Sequence, residues 1–198
     1  AASCCFRGSA EACVSQRVGP VQTDALAAGS SHASTPPEVT VSPPYADVLS
    51  CMAAHELSGP VLGVVWDRIS YGLEEAILGG EFLRITRNSI HRLGHLRTFH
   101  LPGGQKAIAE PRRTALGLLY EIFGQKVFRL KTLPSVQAFS AKELKALKAT
   151  LAEMLDAPVT ASAGRLFDAV ASIIGLRQKV RFEGQASMDL EFAADDIE

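Results

Sequence analysis

The stretch from Ala161 to Ala194, ASAGRLFDAVASIIGLRQKVRFEGQASMDLEFAA, decides how the rest of the chain is interpreted. Apolar residues recur at helical spacing after Gly164, and Gly175 stands where a left-handed C-cap is favoured. We expect a helix up to Gly175, then a short basic-aromatic strand, a Gly turn and a second helix. Asp168 lies one position off the apolar run, on the face that a ligand could reach, although a lone helical Asp is more often a solvated carboxylate. The apolar residues of this run are Leu166, Phe167, Val170, Ile173 and Ile174.

The composition is that of a globular protein with a proper core. The chain has 198 residues, 47% of them hydrophobic, which suits one domain or one domain with a tail. Lys and Arg total 20 against 21 Asp and Glu, a net charge of -1, so we expect neither a nucleic acid nor an anionic membrane as partner. No apolar run approaches the about 18 residues of a membrane helix.

The cysteines and the first residues bear on location. Cys4, Cys5, Cys13 and Cys51 form no CxxC pair, and a chain of this size needs no disulfide framework. The chain begins without Met and without the pattern of a signal peptide. We therefore expect reduced thiols, a cytoplasmic location and a fragment or trimmed chain.

Two segments differ in character. Residues 1–44 are rich in Ala, Ser, Gly, Pro and Thr, and we expect most of them to be loop, with one short strand near Val39 and Val41. Residues 1–38 are assigned to a poorly patterned N-terminal segment. Residues 39–198 carry the periodic patterns and are predicted to form the domain. The capping box Ser140 to Glu143 is a specific helix start within it.

The patterns of the domain predict strands first and helices afterwards. This order is typical of α/β or α+β layering. Val61–Trp66 is a continuous apolar run, typical of a strand buried on both faces, with Asp67 at its carboxyl end, where ligands bind in open α/β sheets. The other predicted elements are a helix over 45–57, strands over 80–86 and within 90–101, and helices over 110–123 and from 140 to about 157.

Two short motifs, an HxxxH spacing and a Gly-Gly-Glu-Phe tetrapeptide, resemble known functional sites. His91 and His95 have the HxxxH spacing of a metal site on a helix, but on a strand they lie about 13 Å apart, so ordinary hydrogen-bonded histidines are favoured. Gly79-Gly80-Glu81-Phe82 resembles the hairpin of diguanylate cyclases, but the elements around it fall in the wrong order. We reject both as the leading interpretation.

Two further groups could contact a nucleotide. Asp67 with Gly72, Gly79 and Gly80 combines a strand-end carboxylate with small residues that allow close backbone approach, as phosphate contact requires. A β-hairpin with Gly at its turn explains the same spacing equally well. In the other group, Gly164, Asp168 and Gly184, the Asp could accept from ribose hydroxyls beside a helix N-terminus. Spacing alone does not choose between these interpretations.

Taken together, the motifs resemble the C-terminal domain of the hydrogenase-maturation carbamoyltransferases HypF, over about residues 39–194 and in the family's order. The resemblance implies an α/β, actin/hexokinase-like ATPase fold, incomplete here because the chain ends at Glu198 before the family's later metal-binding Asp. The residues that carry it are Val48–His55, Gly59–Asp67, Tyr71-Gly72, Gly79–Leu83, His95–Arg97, Leu101–Gly104, Glu110–Arg113, Ala163–Ser172 and Phe182–Glu191.

The resemblance also implies a reaction. Carbamoyl passes from ATP-derived carbamoyl-adenylate to the C-terminal Cys of the partner HypE, and the product becomes a cyanide ligand of nickel–iron hydrogenase. By analogy with the family, the site residues are Asp67, catalytic and near the acyl-phosphate with Gly72; Gly79 and Gly80 beside the nucleotide; Asp168 at its ribose; and Gly164 and Gly184, which let the backbone close in.

The chain also departs from the family's pattern. The family's two outer metal-binding His positions are Pro43 and Asp47 here, and Pro43 has no ligand atom. Arg68 and Ser70 replace glycines of the family's loop, where a Cβ atom costs about 1–2 kcal/mol at any position that needs positive φ. We therefore predict that this chain binds no catalytic iron or zinc and transfers no carbamoyl group by itself. The alternative hypothesis is a non-catalytic remnant that keeps only the fold or the partner surface.

Overall fold

The computed structural model describes residues 2–7, 12–13, 43–71, 77–86 and 88–195. The strands are β1 (Ala2–Arg7), β2 (Ala12–Cys13), β3 (Val61–Tyr71), β4 (Ile77–Ile85), β5 (Ile90–His95), β6 (Phe99–His100) and β7 (Val159–Thr160). The helices are α1 (Pro43–Ala54), α2 (Gln105–Ala109), α3 (Pro111–Phe123), a 3-10 helix (Gly124–Arg129), α4 (Pro134–Gln137), α5 (Ala141–Glu153), α6 (Ala163–Ile173) and α7 (Gln185–Asp195). The α/β class is thereby confirmed.

One mixed sheet joins all the described strands. Its order is β2-β1-β3-β4-β7-β6, and β5 also pairs with β4. β4 and β7 are parallel, with Ile77 opposite Thr160, and the other pairs are antiparallel. The strand expected within 90–101 is present as two, β5 and β6.

Residues 1–38, which we expect to be mostly loop, contribute two short strands, β1 and β2, to the sheet. β1 runs antiparallel to β3 over its whole length, from Ala2 opposite Trp66 to Arg7 opposite Val61. A neighbouring strand that needs its backbone groups paired can recruit a segment whose own side-chain pattern is weak. The strand expected near Val39 and Val41 lies outside the described residues.

Strand β3 departs from its prediction in two ways. Val61 and Val65 are buried, but Leu62 and Trp66 are 38% and 41% exposed, so the first half of β3 buries one face and not two. This is the usual condition of an antiparallel strand. The strand also continues to Tyr71, with a register shift between Trp66 and Ser70. Asp67 therefore lies within the strand and not at its carboxyl end.

Helix α1 covers the buried face of β3 and β4. It packs so closely that an ideal Cβ on Gly63 would lie 2.5 Å from Cγ2 of Val48. The core here consists of Val48, Cys51, Met52, Val61, Val65, Leu83 and Ile85. A second core lies among the helices and consists of Leu116, Leu119, Val127, Val136, Phe139, Leu147 and Leu151.

The C-terminal stretch contains two helices, as expected, but no strand between them. Helix α6 ends in a Schellman motif, in which Leu176 N–H donates to Ala171 O (2.9 Å) and Gly175, at φ +91°, donates to Ser172 O (3.1 Å). Residues 174–184 then form turns. The expected strand is absent because the segment bonds to α2 and α3 instead: Val180 N–H donates to Ala109 O (3.0 Å).

The fully buried residues of α6 are mostly small or polar, whereas Leu166, Val170 and Ile173 of the predicted apolar run are only partly buried. Phe167 is 40% exposed and Ile174 is 56% exposed. Helix α6 packs chiefly on α3, and small side chains allow two helices to approach closely. The buried residues are Ala163, Gly164, Arg165, Asp168, Ala169, Ala171 and Ser172.

Candidate functional site

The first part of the site is the contact between β4 and the segment that leads into α6. An ideal Cβ on Gly80 would overlap the carbonyl oxygen of Ala161 and would lie 2.7 Å from Cγ and Cδ1 of Leu96. The preceding Gly79 has φ 149°, which residues with a side chain rarely adopt. The glycine pair therefore lets the strand and the entrance to α6 meet without side chains between them.

The N-terminus of α6 is fixed to the sheet at the same place. Thr160 pairs with Ile77 of β4, and its Oγ1 accepts from Ser162 N–H (3.0 Å). Ser162 is the N-cap, and its hydroxyl accepts from Arg165 N–H (3.3 Å). Gly164 lies in the first turn of α6, where backbone N–H groups are not used within the helix. A helix N-terminus of this kind favours negative charge.

The second part of the site is a buried ion pair on α6. Arg165 Nη2 lies 3.2 Å from Oδ2 of Asp168, and both side chains are almost fully buried. Arg165 Nη2 also lies 3.3 Å from Oε1 of Glu183, whose side chain is 57% exposed. Asp168, at 2% exposure, is thus not a solvated carboxylate, and its contact with a nucleotide stays a prediction.

Gly184 follows Glu183, which contacts Arg165, in the turn before α7. Its φ is +83°, and a Cβ there would meet nothing within 4 Å. Backbone conformation, and not lack of space, explains this glycine. Sequence reasoning missed Arg165, although its i,i+3 spacing to Asp168 is the usual signal of an ion pair on a helix.

The predicted nucleotide residues thus fall into two connected groups. Asp168 pairs with Arg165, Gly164 precedes Arg165 in the chain, and Gly184 follows Glu183, which also contacts Arg165, while Gly80, next to Gly79, lies against Ala161, which leads into α6. Gly72 lies outside the described residues. The backbone of Asp67 follows Trp66, which is opposite Gly80, but its side chain is outside what the structure describes, so its catalytic role stays a prediction.

The residues at the family's metal positions do not fit a metal. Pro43 begins α1 and has no ligand atom, which leaves Asp47 as the only donor of the two. Among the side chains that the structure describes, no group of three or more His, Cys, Asp or Glu is close enough to hold a metal ion. His91 and His95 are exposed on β5, and His95 Nδ1 lies 2.7 Å from Leu96 O. One carboxylate at the start of α1 is too few ligands for iron or zinc.

Glu81 of the Gly-Gly-Glu-Phe motif has a structural role. It is 1% exposed on β4, and Arg92 of β5 donates to its carboxylate through Nε (2.5 Å) and Nη2 (3.1 Å). This two-point contact ties the two strands together. Across the described part of the chain, no helix is both long and apolar enough to cross a membrane.

Comparison with known proteins gives the family. Residues 63–198 match the family described as carbamoyltransferase, Kae1-like domain, second subdomain. The carbamoyltransferase HypF of Synechocystis sp. is 41% identical over 160 residues, covering 74% of this chain and 21% of that protein. HypF2 of Cupriavidus necator is 34% identical over 161 residues, which cover 80% of this chain and 19% of that protein. The chain thus spans about a fifth of the length of these curated relatives.

Solved structures agree. A crystal structure of full-length HypF in the phosphate- and nucleotide-bound form has a TM-score of 0.70 and 35% identity, covering 78% of this chain and 24% of that one. The structure of HypF from T. kodakarensis has a TM-score of 0.68 and 28% identity, covering 79% and 21%. The family resemblance and the Kae1-like fold are confirmed. The chain belongs to the HypF carbamoyltransferase family.

Proposed function

We propose that this chain is the part of a HypF-type carbamoyltransferase domain that holds the nucleotide moiety of carbamoyl-adenylate. The reaction served is transfer of the carbamoyl group to the C-terminal Cys of a HypE-like partner during nickel–iron hydrogenase maturation. In this step a sulfur–carbon bond forms to the carbamoyl carbon, and the bond between that carbon and the phosphate oxygen breaks. AMP leaves with the electron pair, and the thiol proton passes to solvent.

One observation carries the nucleotide assignment, namely the convergence of glycines and a carboxylate at the start of α6. Gly80 leaves no room for a side chain against the segment entering α6, and Gly164 lies in the first turn of that helix. One turn further on is Asp168, whose carboxylate can accept from hydroxyl groups. Bare backbone and a helix N-terminus suit phosphate, and an adjacent carboxylate suits a sugar. A nucleotide combines both.

The residues at the start of α1 favour a second candidate. Pro43 and Asp47 do not supply a metal site, so a non-catalytic remnant that keeps the partner surface is the competing function. The two functions differ in a measurable way. The first requires nucleotide binding by this chain, whereas the second requires only partner binding.

The test is calorimetric titration of the 198-residue chain with AMP, the leaving group of the proposed reaction. We expect AMP to bind, and Asp168→Asn to weaken binding by about tenfold to a hundredfold, because a hydrogen bond to a charged group contributes about 1.5–3 kcal/mol. The Asn variant keeps the shape of the side chain. The matched control is Asp189→Asn, which removes another carboxylate paired with an arginine, 2.6 Å from Arg177 Nε, on α7.

Two results decide between the candidates. Failure of the folded chain to bind AMP, together with calorimetric binding of a HypE-like partner by the same sample, would establish the remnant and overturn the proposal. AMP binding that Asp168→Asn weakens and Asp189→Asn does not would support it. Mass measurement of the partner's C-terminal peptide after incubation with carbamoyl-adenylate tests transfer itself, which we predict the chain alone does not perform.

A further inference from the structure

Arg165 is a buried cation that uses only part of its hydrogen-bonding capacity. Its Nη2 makes both contacts of the guanidinium, to Asp168 and to Glu183. Its Nε and Nη1 are buried and have no acceptor among the residues that the structure describes. Leaving a buried donor without an acceptor is unfavourable, and more so when the group is charged. The position therefore calls for an acceptor oxygen that the described protein does not supply.

The local charge indicates which kind of oxygen this is. Arg165 carries one positive charge and faces the two carboxylates of Asp168 and Glu183. The cluster already has more negative than positive charge, and a phosphate or carboxylate beside it would be repelled at close range. A neutral oxygen, such as that of a hydroxyl group, meets no such repulsion.

A hydroxyl group also suits the pair because it both donates and accepts. The guanidinium of Arg165 can only donate, and the ionised carboxylate of Asp168 can only accept. Two neighbouring hydroxyls of a sugar can therefore donate to Asp168 and accept from the free nitrogens of Arg165 at once. Loss of either hydroxyl would leave a buried group of the protein unpaired, which is how polar sites discriminate strongly.

We propose that Arg165 is a specificity-determining residue of this site, which donates to the oxygen of a vicinal diol whose other hydroxyl is held by Asp168. This inference rests on the proposed function, in which the diol is the ribose of the nucleotide. Arg165 thus selects ribonucleotides over nucleotides that lack the diol.

The turn before α7 gives access to the pair. Glu183 occupies Nη2 of Arg165 from the solvent side, with its side chain 57% exposed. Gly184, at φ +83°, has open space around it, so this turn is not held by packing at that point. A ligand reaches the pair by displacing the Glu183 side chain. Glu183→Gln, which removes the charge of that contact, is therefore expected to bind AMP at least as tightly as the wild type.

The test is calorimetry of the 198-residue chain with AMP and with 2′,3′-dideoxy-AMP. We expect the wild type to prefer AMP by about tenfold or more, a difference of about 1.4 kcal/mol. The Arg165→Gln variant should bind AMP about tenfold more weakly than the wild type and should bind dideoxy-AMP with unchanged affinity, so that the preference for AMP disappears. Arg165→Lys, which keeps the charge in case the Gln variant does not fold, should reduce the preference in the same direction. Arg177→Gln, which removes a surface arginine paired with Asp189, should leave the preference intact.

Three other outcomes would overturn the inference. A wild type that binds both nucleotides equally shows that Arg165 does not recognise the diol, while the proposed nucleotide function survives. Parallel loss of affinity for both nucleotides in the Arg165 variants shows a purely structural role. A wild type that binds neither nucleotide overturns the proposed function and this inference with it.

Discussion

Gly80 lies so close to the carbonyl oxygen of Ala161 that a Cβ atom at position 80 would overlap that oxygen. The contact joins the middle of the sheet to the start of α6, on which the candidate site depends. The obstacle is backbone and not the end of a flexible side chain, so it cannot move aside without moving the helix. This single contact therefore couples the stability of the sheet to the geometry of the site.

Gly80→Ala is expected to destabilise the chain by about 1–3 kcal/mol, because the added methyl group forces a backbone shift in a packed region. Urea denaturation followed by circular dichroism measures the change. Gly94→Ala, on the neighbouring strand β5, is the matched control, since a Cβ there meets nothing within 4 Å. Equal stability of the two variants would contradict the close contact at Gly80.

Arg112 connects three parts of the helical layer. Its guanidinium donates to Glu110 (Nη2, 2.9 Å), to Glu143 of α5 (2.9 Å) and to the carbonyl of Ala138, and it lies 4.3 Å from the centre of the Phe139 ring. The side chain is 5% exposed. Arg112→Ala is expected to cost about 1–3 kcal/mol in the free energy of unfolding, because it leaves the carbonyl of Ala138 without this donor and removes the hydrogen bonds to two partly exposed carboxylates.

Arg113→Ala is the control for that substitution. Arg113 also pairs with Glu110, at 2.8 Å, but its side chain is more exposed and this ion pair stays within the first turn of α3. Its loss is expected to cost about 1 kcal/mol or less, the usual value of a partly exposed pair. Chemical denaturation of the two variants side by side decides the point, and a similar cost for both would show that the Arg112 network contributes little.

The sequence predicts elements with strong local signals and misses those that depend on neighbours. The capping box at Ser140 forms as expected, with Glu143 reaching back to the N-cap backbone N–H, because all of its atoms lie within one turn. Strand β1 has no comparable local signal and exists through pairing with β3. The strand expected after Gly175 fails for the same reason, since Val180 bonds to Ala109 and not to a neighbouring strand.

The candidate site shows the same division. The glycines at positions 79 and 80 point to close backbone contact in the sequence, but nothing in the sequence identifies Ala161 as the neighbour. Asp168 is visible as an unusual polar residue, yet its burial depends on Arg165 and on the turn at Glu183, much further along the chain. Tertiary packing, which a helical period does not encode, determines which face of α6 is inside.

Acid is expected to weaken the Glu143 and Glu110 contacts. The Ser140 backbone N–H and hydroxyl, together with Arg112, lower the pKa of Glu143 from 4.5 to about 2. Burial acts to raise the pKa of Glu110, but Arg113 and Arg112 outweigh it and hold that pKa below 4.5. Both carboxyl groups have a lower pKa in the folded state than in the unfolded state. The stabilisation that the two carboxylates contribute is therefore present above pH 4.5 and is lost as the pH falls from there towards about 2.

Glu143→Gln isolates one part of that loss. As the pH is lowered from 4.5 to about 2, the urea concentration at the denaturation midpoint should fall less in this variant than in the wild type. The reason is that the glutamine side chain at position 143 does not titrate. Glu153→Gln removes an exposed carboxylate from the end of the same helix and should follow the wild-type curve. Superimposable curves for the wild type and Glu143→Gln would rule out a contribution from the capping box.

The burial pattern of α6 gives the last prediction. Ala169 is fully buried where α6 packs on its neighbours, whereas Phe167, two residues earlier, is 40% exposed. Ala169→Leu should therefore destabilise the chain by about 1–3 kcal/mol, because extra methyl groups force a tightly packed interface apart. Phe167→Ser should change stability far less, since a side chain on the exposed face gives up little buried area when it is shortened. Thermal and urea denaturation of both variants test the assignment, and the opposite order of costs would mean that the large apolar residues form the inner face after all.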